Sequence, residues 1–105
     1  MRPNKLDIYD LIIIWAQQKG ILDQGDAKTQ LIKLAEEHGE LAQAVLKEDI
    51  PEIKDAVGDM IVVLTNLCWF YNLSVPDCIE SAYEVIKNRQ GKIINNTFVK
   101  DESSS

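Results

Sequence analysis

Apolar residues recur every three or four positions along most of this chain, which is the spacing of a helix with one buried face. In residues 5–19 the repeat consists of Leu6, Tyr9, Ile13 and Ala16. It predicts a first helix that ends before Gly20. Residues 20–27 hold two glycines and two aspartates and are predicted to form a loop, with Asp26 capping the next helix.

Two longer helices are predicted to follow. The second covers residues 28–47, and its apolar stripe consists of Leu31, Leu34, Leu41 and Val45. The third covers residues 51–71, because Asp49 is suited to cap it and Pro51 to occupy its first turn. From Met60 onward this third helix is apolar on nearly all sides, so we expect it at the centre of the fold.

The last part of the chain is predicted to carry one more helix. Ser74 and Asp77 form a capping-box pattern around Pro76, and this helix should end near residue 88. No segment alternates convincingly as a strand would. We therefore expect an all-α, four-helix bundle-like fold completed by oligomerisation, with one helical domain over residues 1–100 and a disordered tail over 101–105.

Composition and charge narrow the class of protein. A chain of 105 residues, 46% apolar and 27% charged, fits one compact globular domain. Its net charge of −6 argues against a nucleic-acid partner, because binding to phosphate backbones relies on clustered Lys and Arg. An acidic protein that handles a phosphorylated small molecule needs a divalent cation between its carboxylates and the phosphates.

Several sequence features predict a cytoplasmic protein without a membrane segment. The longest apolar stretch, residues 60–71, is shorter than the roughly 20 residues that span a bilayer. Asp7 and Asp10 interrupt the N-terminal region where a signal peptide would be apolar. Cys68 and Cys78 lack CxxC spacing, and we expect both as free, buried thiols of a reducing compartment.

Acidic residues concentrate on the second and third predicted helices. Glu36, Glu37 and Glu40 fall within one sector roughly 100° wide. On the third helix a single stripe consists of Glu52, Asp55, Asp59 and Asn66. Such clusters alone also fit a solvated helix face.

Asp59 argues against a purely solvated helix face, because an apolar run begins directly after it at Met60. Burying an unpaired carboxylate there would cost several kcal/mol or force it to take up a proton. Lys33 or Arg89 is able to supply a partner, but a divalent cation with oxygen ligands neutralises two facing carboxylate clusters better. Mg²⁺ fits this role best.

The two acidic segments resemble a known family. Glu36-Glu37-His38-Gly39-Glu40 followed by Asp55-Ala56-Val57-Gly58-Asp59 is similar to the EExxE and ExxD pattern of MazG-like nucleotide pyrophosphohydrolases. The likeness extends over nearly the whole chain, from Trp15-Ala16 through residues 30–37 to residues 88–92 and 98–100. The small single-domain members of bacteria and phages are the most similar.

The resemblance implies an all-α homodimer or homotetramer that hydrolyses an NTP or dNTP to the monophosphate and pyrophosphate. It implies Mg²⁺, with Mn²⁺ as an alternative, bound by Glu36, Glu37, Glu40, Asp55 and Asp59. One position departs from the family pattern, since Ala56 stands where a Glu is expected. Asp55 is preferred as its replacement, and Glu52 is the alternative.

Further roles follow for individual residues. Glu37 is our candidate for the base that takes a proton from the attacking water. The candidates for substrate binding are Lys33, Asn66, Lys87, Arg89, Lys92 and Trp15. The basic residues near the fourth helix also fit an ordinary helix end, and Trp15 also fits a core position. His38 is expected to be packed or capped rather than catalytic.

Two other functions remain open from the sequence. The chain could be a non-catalytic helical module for oligomerisation or interaction, in which the carboxylates only solubilise the surface. It could also be a related helical hydrolase that acts on another phosphoanhydride, such as phosphoribosyl-ATP.

Overall fold

The computed structural model describes residues 6–102, which form five α-helices and one β-hairpin. The elements are α1 (Ile8–Gln18), α2 (Ile21–Gln24), α3 (Ala27–Leu46), α4 (Ile50–Trp69), α5 (Val75–Ile86), β1 (Gly91–Ile94) and β2 (Thr97–Lys100). The predicted all-α class is confirmed, with the hairpin as a small addition. Among the helices of residues 6–102, none combines the length and the hydropathy of a membrane span. Residues 103–105 of the predicted tail lie outside the described range.

The two long helices begin at the predicted caps. The Asp26 side chain accepts a hydrogen bond of 2.7 Å from the backbone N–H of Thr29 at the start of α3. The Asp49 side chain accepts one of 3.2 Å from the N–H of Glu52 at the start of α4, where Pro51 occupies the first turn. These bonds satisfy N–H groups that a helix end leaves without a partner.

The segment predicted as a loop contains the short helix α2. Gly20 precedes it with a φ of 78°, a left-handed conformation that glycine adopts without steric cost. The Gln17 side-chain amide donates to the Asp23 carboxylate at 3.0 Å, which ties α1 to α2, and Leu22 is buried. Four residues are too few to show a helical repeat, so the sequence pattern missed this element.

The expectation that the chain lacks strands was wrong for residues 91–100. β1 and β2 pair antiparallel, with Ile94 opposite Thr97 across a two-residue turn. Both turn residues, Asn95 and Asn96, have positive φ values of 51° and 65°. That is the geometry of the hairpin turn that favours asparagine, so two asparagines between apolar segments were the signal that could have predicted it.

The described residues form two compact units, the first ending at Val75 and the second beginning at Pro76. In the first unit, residues 47–49 join α3 to α4, so these helices run antiparallel, and α4 also packs against α1. The buried side chains are mostly small, as in Ala16, Ala44 and Ala56. Small residues let helices approach closely. Leu31 and Val45, which the apolar stripe of the second predicted helix placed toward the core, are exposed.

Candidate metal centre

Three carboxylates from α3 and α4 come together in the first unit. Glu37 and Glu40 lie one turn apart on α3, and Asp59 reaches them from α4. One carboxylate oxygen from each lies within 4.8 Å of the others. Three of the five predicted metal ligands are therefore neighbours in space.

The surroundings of Glu37 are unfavourable for a negative charge. Its Oε2 atom is buried and has no hydrogen-bond partner. Burial raises the pKa of the Glu37 carboxyl above its usual value, the nearby Glu40 and Asp59 carboxylates raise it further, and Lys33 opposes them. A group in this position gains from either a proton or a cation.

The donor set fits a divalent cation. Carboxylate oxygens are the ligands preferred by Mg²⁺, Mn²⁺ and Ca²⁺. Because the three oxygens already lie within 4.8 Å of one another, side-chain rotations would let Glu37, Glu40 and Asp59 hold one cation. Glu40 is exposed and free to make them. The orphaned oxygen of Glu37 would then have a partner.

A polar cleft of about 210 Å³ continues from this cluster. Its lining residues are Glu40, Gln43, Glu52, Asp55, Ala56 and Asp59. Glu52 and Asp55, the two candidates to replace the carboxylate that Ala56 lacks, thus border the same cleft. Neither joins the group of oxygens within 4.8 Å, which among residues 6–102 comprises Glu37, Glu40 and Asp59.

The remaining predicted ligand, Glu36, is exposed on α3 and lies outside that group. Gln43 is a lining residue that the sequence interpretation missed. It follows Glu40 by three positions, so extending the acidic stripe by one helical turn could have found it.

Three predicted substrate-binding residues lie in the first unit. Lys33 is exposed one turn before Glu37 and close enough to affect its pKa. Asn66 is 2% exposed, and its buried Oδ1 has no hydrogen-bond partner. Trp15 lines a different pocket of about 340 Å³, which shares Asp59 with the metal cluster.

The other predicted substrate-binding residues, Lys87, Arg89 and Lys92, belong to the second unit. Lys87 forms an ion pair of 2.6 Å with Glu84. Their role at the substrate stays a prediction. Two other residues depart from expectation, since His38 is exposed rather than packed and Cys78 is exposed rather than buried.

Comparison with known proteins places the carboxylates in a recognised domain. The model of the MazG nucleotide pyrophosphohydrolase domain matches residues 26–94, which include all of α3 and α4. An uncharacterized 18.2 kDa protein of Haemophilus phage HP1 is 40% identical over 53 residues. That match covers 50% of this chain and 32% of the phage protein. No solved structure gives a significant match.

Proposed function

Because the chain belongs to the MazG nucleotide pyrophosphohydrolase domain family, we propose that it hydrolyses an NTP or dNTP to the monophosphate and pyrophosphate with Mg²⁺. The observation that carries this proposal is the meeting of Glu37, Glu40 and Asp59 within 4.8 Å, with one buried oxygen of Glu37 lacking a partner. Mn²⁺ is the expected substitute, because it accepts the same oxygen ligands.

The acidic residues divide into two roles in this proposal. Glu37, Glu40 and Asp59 would hold the cation, with Asp55 completing the set from the adjoining cleft and Glu36 approaching from the exposed side of α3. When bound, a divalent cation neutralises phosphate charge and lowers the pKa of a coordinated water. A protein of net charge −6 needs such a cation to attract a triphosphate.

Glu37 is suited to take the proton that the attacking water releases. The water oxygen attacks the α-phosphorus, the bond from that phosphorus to the bridging oxygen breaks, and pyrophosphate leaves with the bonding electrons. The proton of the water passes to the Glu37 carboxylate. The Glu37 oxygen that does not hold the cation would accept this proton, because the Glu37 carboxylate lies beside those of Glu40 and Asp59.

Assembly into a homodimer or homotetramer is part of the proposal. Many large apolar side chains of the single chain are exposed, among them Ile32, Leu46, Ile50 and Tyr83. Apolar surface on this scale is typical of protein interfaces. Sedimentation analysis of the purified protein measures the oligomeric state directly.

The test is a panel of the eight common NTPs and dNTPs, assayed for pyrophosphate with Mg²⁺, with Mn²⁺ and with EDTA. Product chromatography separates monophosphate and pyrophosphate from diphosphate and inorganic phosphate. Phosphoribosyl-ATP is included as the competing substrate. Metal-dependent release of pyrophosphate from at least one triphosphate is expected. Its absence from the whole panel, or faster cleavage of phosphoribosyl-ATP, contradicts the proposal.

A further inference from the structure

A mostly apolar pocket adjoins the carboxylate cluster. Its volume is about 340 Å³, within the range of small-molecule sites. Its lining residues are Leu11, Ile12 and Trp15 of α1 with Asp59 and Val62 of α4. All of them lie in the first unit. Because Asp59 also belongs to the cluster, a ligand bound through its phosphates beside Asp59 has this pocket next to it.

The pocket offers ring contact and little hydrogen bonding. Leu11 and Trp15 are one turn apart on α1 and therefore share a face. Trp15 is 44% exposed, so a large part of its indole is open to a ligand. Among these lining residues, the Asp59 carboxylate is the one charged or hydrogen-bonding group apart from the indole N–H. Backbone groups inside the two helices are already used in helical hydrogen bonds.

These features match the face of a planar heteroaromatic ring. Such a ring stacks on an indole and packs against the apolar side chains of Leu11, Ile12 and Val62. We propose that this pocket holds the nucleobase of the substrate, which stacks on Trp15 and is recognised by its ring face rather than its hydrogen-bonding edge. The proposal rests on the proposed function, because it requires a nucleotide at the metal cluster.

A consequence for specificity follows. An apolar pocket discriminates between similar ligands by about 10- to 200-fold, whereas a pocket that hydrogen-bonds a ligand edge reaches about 10⁴-fold. We expect kcat/KM to vary by less than about 200-fold among the bases of the substrate panel. A spread of about 10⁴-fold contradicts recognition by the ring face.

Binding to the pocket is measured by fluorescence without any turnover. The chain has two tryptophans, so Trp69→Phe leaves Trp15 as the single indole. The probe is an α,β-methylene nucleoside triphosphate with Mg²⁺, and tripolyphosphate with Mg²⁺ is the base-free control. Saturable quenching by the nucleotide, without quenching by tripolyphosphate, is expected. Equal responses to both, or none to the nucleotide, overturn the proposal.

Kinetics test the same contact independently. Trp15→Ala should raise KM by roughly tenfold, in the range of base–aromatic stacking, with kcat and the inhibition constant of tripolyphosphate unchanged. Trp15→Phe, which keeps a ring, should recover most of the loss. Trp69→Phe is the matched control and should leave KM unchanged. An unchanged KM in Trp15→Ala overturns the proposal. This holds whether or not sedimentation shows that the variant changes the oligomeric state.

The two proposals fail in different ways. If the wild-type protein releases no pyrophosphate while the nucleotide analogue still quenches Trp15, the hydrolytic function fails and the base pocket stands. If pyrophosphate is released and neither Trp15 readout responds to the base, the base pocket fails and the function stands.

Discussion

Glu37 on α3 and Asp59 on α4 each bring a carboxylate oxygen to within 4.8 Å of the other across the helix pair. The Asp59 charge is one cause of the raised pKa of Glu37, after burial and the nearby Glu40 carboxyl. Like charges held this close oppose folding unless a proton or a cation joins them. The metal-free protein should therefore have a lower free energy of unfolding than the protein with a cation bound.

Glu37→Gln is expected to stabilise the metal-free protein. The substitution removes a poorly solvated charge and keeps the side-chain shape, so Tm in EDTA should rise by a few degrees. The same variant should lose the rise in Tm that Mg²⁺ gives the wild-type protein. Glu48→Gln, in the connection after α3, is the control that removes one charge outside the cluster. A lower Tm for Glu37→Gln in EDTA contradicts this account.

The stability of the metal-free protein should depend on pH through Glu37. Its pKa is raised in the folded state, so the folded protein binds more protons than the unfolded chain between the two pKa values. The contribution to the free energy of unfolding is greatest below the usual pKa of 4.5 and is lost as pH rises through the folded-state pKa.

Urea unfolding in EDTA from pH 4 to pH 8 measures this effect. The free energy of unfolding of Glu37→Gln minus that of the wild type should be smallest at low pH and should grow with pH. The subtraction removes contributions from titrating groups that do not interact with Glu37. A difference that shrinks as pH rises is the opposite of the expected result.

Glu40→Gln and Asp59→Asn are each expected to lower metal-dependent turnover by at least about 100-fold. Both side chains belong to the carboxylate group, and both border the polar cleft. Circular dichroism and Tm should show an intact fold, because each change removes a repulsive charge. Pyrophosphate release at saturating Mg²⁺ is the measurement, with Glu48→Gln again as the control. Full activity in either variant would remove that residue from the site.

The metal-binding roles of Asp55 and Glu52 are distinguished by how the activity of their variants depends on Mg²⁺ concentration. Asp55 precedes Asp59 by one helical turn, whereas Glu52 lies in the first turn of α4, where the helix dipole already favours a negative charge. Asp55→Asn should raise the half-saturating Mg²⁺ concentration by about tenfold or more, and Glu52→Gln by much less. If Glu52→Gln has the larger effect, Glu52 is the ligand that compensates for Ala56.

The sequence predicted what depends on local spacing. The caps at Asp26 and Asp49 and the shared faces of the acidic residues follow from positions a few residues apart. It did not predict that Glu36 stays outside the group of close oxygens while Glu37 enters it. That choice depends on how α4 packs against α3, which spacing within one helix does not determine.

The Trp15 pocket lay beyond sequence reasoning for a similar reason. It requires α1 to pack against α4 so that Trp15 and Val62 face each other beside Asp59. The hairpin was missed on different grounds. Its strands are only four residues long, and the pair Asn95-Asn96 is its clearest signal in the sequence.

The short connection at residues 47–49 has a consequence for how the site forms during folding. It places every carboxylate of the cluster on one continuous helical hairpin, α3 and α4. Contacts between chain segments so near in sequence close at little entropic cost and form quickly. We expect the repulsive cluster to appear early in folding, so a divalent cation should accelerate refolding as well as stabilise the folded protein.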